Sequence, residues 1–268
     1  MSTEPIDYAA LFGFHSVAGA AIFAALYVPL FLWFIRQSIK NATYVYIVLV
    51  VFCLIRVVAF VLRAILAGST TAGENLGLLI AAETLFGVGF FALLYSAYTL
   101  VLDRELVSGG ERSNSLPMQL MRQRRFFRLA LLIGVILGVV GTSDISSSST
   151  GTSSTGTALR KASTVVFLVL TVLQLLQASV VAGESFTSGY RNDSRPFGDR
   201  YGSYLICVIS LLLLIREVFL TATTLGNTAK QADERLWFPL VALPEILAVM
   251  CYSISGLVPS KSALTNAA

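Results

Sequence analysis

Residues 44–67 read YVYIVLVVFCLIRVVAFVLRAILA, a run without proline or glycine that carries only two charges, Arg56 and Arg63. About 20 consecutive apolar residues in helical form cross the hydrocarbon core of a bilayer, so the run reads as a transmembrane helix. The two arginines matter as much as the apolar residues around them. An ionised side chain in hydrocarbon costs several kcal/mol and normally faces a partner, a cavity or a substrate.

Working outward, the pattern recurs six more times, placing spans at 9–35, 44–67, 76–102, 126–145, 159–182, 203–226 and 236–258. Hydrophobic residues make up 56% of the 268-residue chain and charged residues 13%. A soluble domain holds about 25% charged residues, so no soluble domain fits beside the spans. The expected fold is all-α, with residues 1–268 forming one domain of seven transmembrane helices. The connector Ser146 to Thr157 is almost pure Ser, Thr and Gly and is expected to be an exposed loop without a fold of its own. Cys53, Cys207 and Cys251 all fall within spans and read as packing residues rather than a disulfide framework.

Charge sets the expected orientation. With Arg128, Arg160 and Lys161, at the starts of their spans, counted in the adjoining loops, the loops after spans one, three and five and the C-terminal tail hold twelve Lys and Arg, against four in the N-terminal segment and the other loops. The positive-inside rule then puts the N-terminus outside or in the lumen and the C-terminus in the cytosol. The segment before span one has Glu4 and Asp7 but no Lys or Arg, unlike a secretory signal. Two glycosylation sequons, at Asn41 and Asn192, fall in cytosolic loops on this topology and are expected to be unmodified. The net charge of +4 sits in span-flanking loops and points to membrane headgroups, not nucleic acid. Spans show no internal repeat of the kind common in secondary transporters.

At about 1.5 Å per residue, orientation turns sequence position into depth. Arg56, Arg63, Glu83, Arg216, Glu217 and Glu245 then occupy one slab, the outer half of the bilayer, with His15 at similar depth on span one. Arg56 and Arg63 are seven apart and share a helix face. Ser210, Glu217, Thr221 and Thr224 make one polar stripe on span six, and Glu245 shares a face with Tyr252. Arg216 projects about 100° from Glu217, so the two are expected to serve different neighbours. Arg56 and Arg216 are expected to compensate Glu83 or Glu217 around a small cavity. Phe12, Phe60, Phe86, Phe90, Trp237 and Phe238 are candidates for its walls. The competing reading is that buried pairs only fix which helix sits beside which, with His15 a packing or interfacial residue.

Several chemistries lack their motifs. No phosphate-binding glycine loop or dinucleotide fingerprint is present, and one histidine with three span-buried cysteines does not suggest a zinc centre. Asn192-Asp193 followed by Asp199 does not match the acidic clusters of intramembrane prenyltransferases. Asp103-Arg104-Glu105, at the inner end of span three, resembles the acidic-Arg motif of G-protein-coupled receptors. The Asn-Pro-x-x-Tyr motif of that class is missing from span seven, and its Trp-x-Pro from span six.

The whole-chain pattern resembles small seven-helix membrane proteins of filamentous fungi. One such family is the membrane-integral terpene cyclases of meroterpenoid pathways, which use buried carboxylic acids to protonate an epoxide or alkene. Leu214 to Glu217, Glu234, Trp237-Phe238 and Pro244 to Pro259 are loosely similar to a second family, the lipid-translocating exporters. The cyclase resemblance implies a cofactor-independent cyclase or isomerase in an endomembrane such as the endoplasmic reticulum, acting on a lipophilic, prenylated and epoxidised substrate. Its acids here would be Glu245, Glu83 or Glu217. Glu245, beside Pro244, is expected to be unpaired and to donate the proton, with Glu83 orienting it or accepting the terminal proton. A lipid exporter and a seven-helix receptor are the alternatives.

Overall fold

The computed structural model describes residues 8–108, 123–147, 154–187, 196–226 and 233–267. Every regular element among them is helical. After one helical turn, α1 (Tyr8–Leu11), Gly13 takes a positive φ of 77° and redirects the chain. Ser16 then caps α2 (Val17–Lys40), its hydroxyl accepting from the Gly19 N–H at 3.0 Å. The apolar run read as one span from residue 9 is thus broken by a left-handed glycine and a serine cap, and the first membrane helix starts at Val17.

The quoted run forms α3 (Tyr44–Gly68), followed by the single turn α4 (Thr70–Gly73) and the long α5 (Leu76–Ser108). Then come α6 (Arg124–Ser147), α7 (Ser154–Thr187), the turn α8 (Phe197–Arg200), α9 (Gly202–Leu225), α10 (Glu234–Tyr252) and α11 (Lys261–Ala267). Seven of these, α2, α3, α5, α6, α7, α9 and α10, are long and apolar enough to cross a membrane. Consecutive spans pack side by side, and α10 closes the ring against α2. At the centre, α5 touches α3, α6, α7 and α9. Leu93 through Val101 on α5 are buried on every side, as a helix surrounded by helices requires. Large apolar side chains such as Ile22, Leu32, Ile136 and Leu176 face outward on the peripheral helices, where lipid is their solvent.

Two departures from sequence expectation shape the outer half. Ser146 and Ser147 continue α6 while Ser154 to Thr157 begin α7, so the ends of the Ser/Thr/Gly connector are helical. Gly141 explains part of this. A β-carbon there would lie 2.8 Å from the Gly156 carbonyl and the Arg160 backbone nitrogen, so α6 and α7 touch backbone to backbone. On α10, residues Phe238–Ala242 form a widened π turn that contains Pro239 and ends two residues before Pro244, with the Leu243 N–H reaching back to the Phe238 carbonyl. A proline cannot supply its N–H to the regular ladder, and the wider turn accommodates the loss.

At the inner end, Asn41 links the α2–α3 turn to the tail. Its side-chain oxygen accepts from the Lys261 N–H at 3.1 Å, and its amide donates to the Pro259 carbonyl at 3.5 Å. Asn192 lies outside the described residues.

Candidate functional site

The buried charges on α3, α9 and α10 meet in one network. Glu245, in the first turn after the π segment, is 1% exposed, and its Oε1 accepts from Arg56 Nη2 at 2.6 Å. The same oxygen lies 2.6 Å from Arg216 Nε, an ion contact not aligned as a hydrogen bond. Arg216 also donates through Nη1 to Glu217 Oε1 and lays its guanidinium over the Phe90 ring, 3.9 Å from the centroid. Arg56 donates a further hydrogen bond to the Phe86 carbonyl at 3.1 Å and sits between the Phe52 and Phe86 rings. Its space is made by Gly89, where a β-carbon would fall 2.8 Å from Arg56 Nη1.

This geometry corrects three expectations. Glu245 is held between two arginines and is not unpaired. Arg56 pairs with Glu245 rather than with Glu83 or Glu217. Arg216 and Glu217 pair with each other despite their 100° offset, because a long guanidinium side chain can curl around the helix to its neighbour.

A second cluster lies nearer the outer end. Arg63 is stacked over Trp237 at 4.0 Å and Phe14 at 4.2 Å, and its Nη2 donates to Glu234 Oε1 at 3.0 Å. Glu234, read in sequence as a loop residue, is therefore a structural partner of α3. His15 does not join the charges through its side chain. It is exposed in the α1–α2 connector, and its backbone N–H donates to Glu234 Oε1 at 3.1 Å. Tyr252 does share a face with Glu245, but it is fully buried in the inner half, away from the cavity.

Between α3, α5, α6, α7, α9 and α10 lies a cavity of about 640 Å³, within the 300–1,000 Å³ range of small-molecule sites. All its lining residues lie toward the end of the bundle that carries α1. Phe86, Phe90, Phe167, Trp237 and Val241 form an apolar wall. Phe12 also lines it, whereas Phe60 and Phe238 pack edge-on behind Phe86 and Trp237. Glu83 and Glu217 supply its carboxylates, and Arg63, Arg160 and Arg216 its cations. Glu83 is half-buried and forms no ion pair among the described residues.

Sequence reading missed Arg160, Ser163, Thr164 and Phe167, because Arg160 was counted as a loop charge before span five. A signal was present. Thr157, Arg160, Thr164, Phe167, Thr171 and Gln174 recur every three or four residues and trace one face of α7.

Opposite the cavity, Arg104 of the Asp103-Arg104-Glu105 motif is buried and ties three segments together. It donates to Asp199 Oδ1 at 2.9 Å, to the Gly198 carbonyl at 2.8 Å and to the Leu257 carbonyl through Nε at 3.0 Å. Asp103 accepts from Arg124 at 2.6 Å.

The family description "Domain of unknown function (DUF7702)" matches residues 16–262. The chain belongs to that family. The match runs from the serine cap of α2 into α11 and so takes in all seven membrane helices, the Arg56–Glu245 network and the cavity, save for Phe12 and Phe14. No curated protein and no solved structure matches the chain.

Proposed function

We propose that the cavity binds a lipophilic, prenylated small molecule and isomerises or cyclises it without a cofactor, by proton transfer within the membrane. One observation carries the reading. Of the four carboxylates on or behind this site, Glu217, Glu234 and Glu245 form ion pairs with arginines, whereas Glu83 faces the cavity with no ion pair among the described residues and with Arg63 only at longer range. A cavity-facing carboxyl group outside any ion pair can approach a bound substrate and serve as a general acid.

Glu83 gives its proton to the epoxide oxygen, and the carbon–oxygen bond breaks. The neighbouring alkene closes on the electron-deficient carbon, forming a carbon–carbon bond. The Glu217 carboxylate takes the proton lost from carbon, and exchange with water resets both acids. Substrate and product then have the same formula. The faces of Phe86, Phe90 and Trp237 suit this path, because aromatic rings attract developing positive charge.

A lining confined to one half of the bundle supports a blind site over an export path. A receptor is the second reading, favoured by the Arg104 clamp at the end opposite the cavity. The enzyme reading is tested by Glu83→Gln, which keeps the shape and removes the transferable proton. Turnover per folded molecule should fall by about 10²- to 10⁴-fold. Unchanged turnover in this variant rules out Glu83 as the acid.

A further inference from the structure

The charged side chains that line or back the cavity pair off and leave two over among the described residues. Arg56 and Arg216 are balanced by Glu245 and Glu217, and Arg63 by Glu234. Glu83 and Arg160 remain. They line the same cavity, and no ion pair forms between them among the described residues. Arg160 sits two turns into α7, half-buried, with its backbone against Gly141 of α6. A guanidinium so placed is a ready anion receptor inside an otherwise amphipathic pocket.

The surrounding hydroxyls narrow the class of anion. Ser163 donates to the Gly134 carbonyl at 2.6 Å, Thr142 to Gly138 at 2.9 Å and Thr164 to Lys161 at 2.9 Å. Their protons are committed to helix backbone, so toward the cavity they offer lone pairs, which do not solvate an anion. Arg160 is therefore the cavity guanidinium left to a negative group among the described residues, with the unpartnered Thr224 hydroxyl as a further neutral donor on the lining. A single guanidinium fork matches a planar carboxylate, which it can hold through two parallel hydrogen bonds.

We infer that the substrate is an amphipathic carboxylic acid, its carboxylate held by Arg160 and its apolar body lying against Phe86, Phe90, Phe167 and Trp237. This rests on the proposal that the cavity is the substrate site. The charged end is fixed at α7, and the reacting end is then presented to Glu83 on α5.

Binding is read by energy transfer from Trp237, which lines the cavity, to cis-parinaric acid. The protein is purified in neutral detergent in a Trp33→Phe background, because Trp33 is 38% exposed on the lipid-facing side. Saturable transfer is expected for the acid. Its methyl ester should bind about 10- to 100-fold more weakly, the range of a lost charge-assisted hydrogen bond. Arg160→Gln should weaken the acid by the same factor and leave the ester unchanged, which also shows that the variant is folded. Arg160→Lys should recover part of the loss.

If acid and ester bind equally and Arg160→Gln alters neither, Arg160 is no anion subsite, while the cavity remains a ligand site. If phosphatidylglycerol displaces the acid as well as unlabelled fatty acid does, the occupant is a lipid headgroup and the inference fails. If neither probe saturates, the proposed function falls together with the inference.

Discussion

Glu245→Gln separates a structural role from a catalytic one, because the network makes its consequence calculable. Arg56, Arg216, Glu217 and Glu245 sum to zero charge, and all four side chains are 5% exposed or less. The substitution removes one carboxylate and leaves two buried guanidinium groups facing one negative partner. Losing one member of a buried ion pair costs about 3–5 kcal/mol. For a domain of this size each kcal/mol moves the midpoint by about 2–4 °C, so a shift on the order of 10 °C is predicted. The assay is loss of the monodisperse gel-filtration peak after heating in detergent, at one fixed heating rate because such unfolding is governed by kinetics. Arg56→Gln with Glu245→Gln restores neutrality and should recover part of the loss. A midpoint within 2 °C of the wild type (roughly 1 kcal/mol or less) for the single variant would refute the reasoning, because the network would then not be what stabilises the contact between α3, α9 and α10.

Gly89→Ala places a carbon against the Arg56 guanidinium and should cost about 1–3 kcal/mol in the same heating assay, but little when Arg56 and Glu245 are both Gln. Arg104→Lys keeps the charge but loses the fork that reaches Asp199, Gly198 and Leu257. It should destabilise by about 1.5–3 kcal/mol, the range of lost hydrogen bonds to a charged group, and increase cleavage by protease added outside sealed microsomes. The orientation predicted from charge places Arg124, Arg125 and the C-terminal tail on the cytosolic side. A C-terminal tag should be cut by protease added outside sealed microsomes, and a glycan at Asn41 or Asn192 would reverse the assignment.

Seven spans were legible because hydrocarbon imposes length and apolarity on every crossing helix, and only the ends moved. Gly13 and Ser16 split the first run, a break visible in sequence only to a reader who weighs one glycine and one cap above many apolar neighbours. The slab of charges was legible too, since depth follows from residue count. Partner choice was not. Helical phase gives the direction of a β-carbon, whereas an arginine head lies several bonds beyond it, so Arg216 reaches both Glu217 and Glu245. Arg160 was lost for a different reason: a charge near a span end reads as a topology signal until the facing helix, here α6 at Gly141, fixes how deep it lies.

The most direct measurement of the account is isomer formation by the intact chain. Microsomes carrying the wild type, microsomes carrying Glu83→Gln and empty microsomes are each given an epoxyprenyl phenol and the matching epoxyprenyl benzoic acid, and products are resolved by chromatography and mass. The account predicts a new product of unchanged mass from the wild type alone, formed faster from the acid than from the phenol. No isomer from either substrate, with labelled phospholipid moving between leaflets in proteoliposomes of the purified protein, would contradict it and establish a lipid translocator.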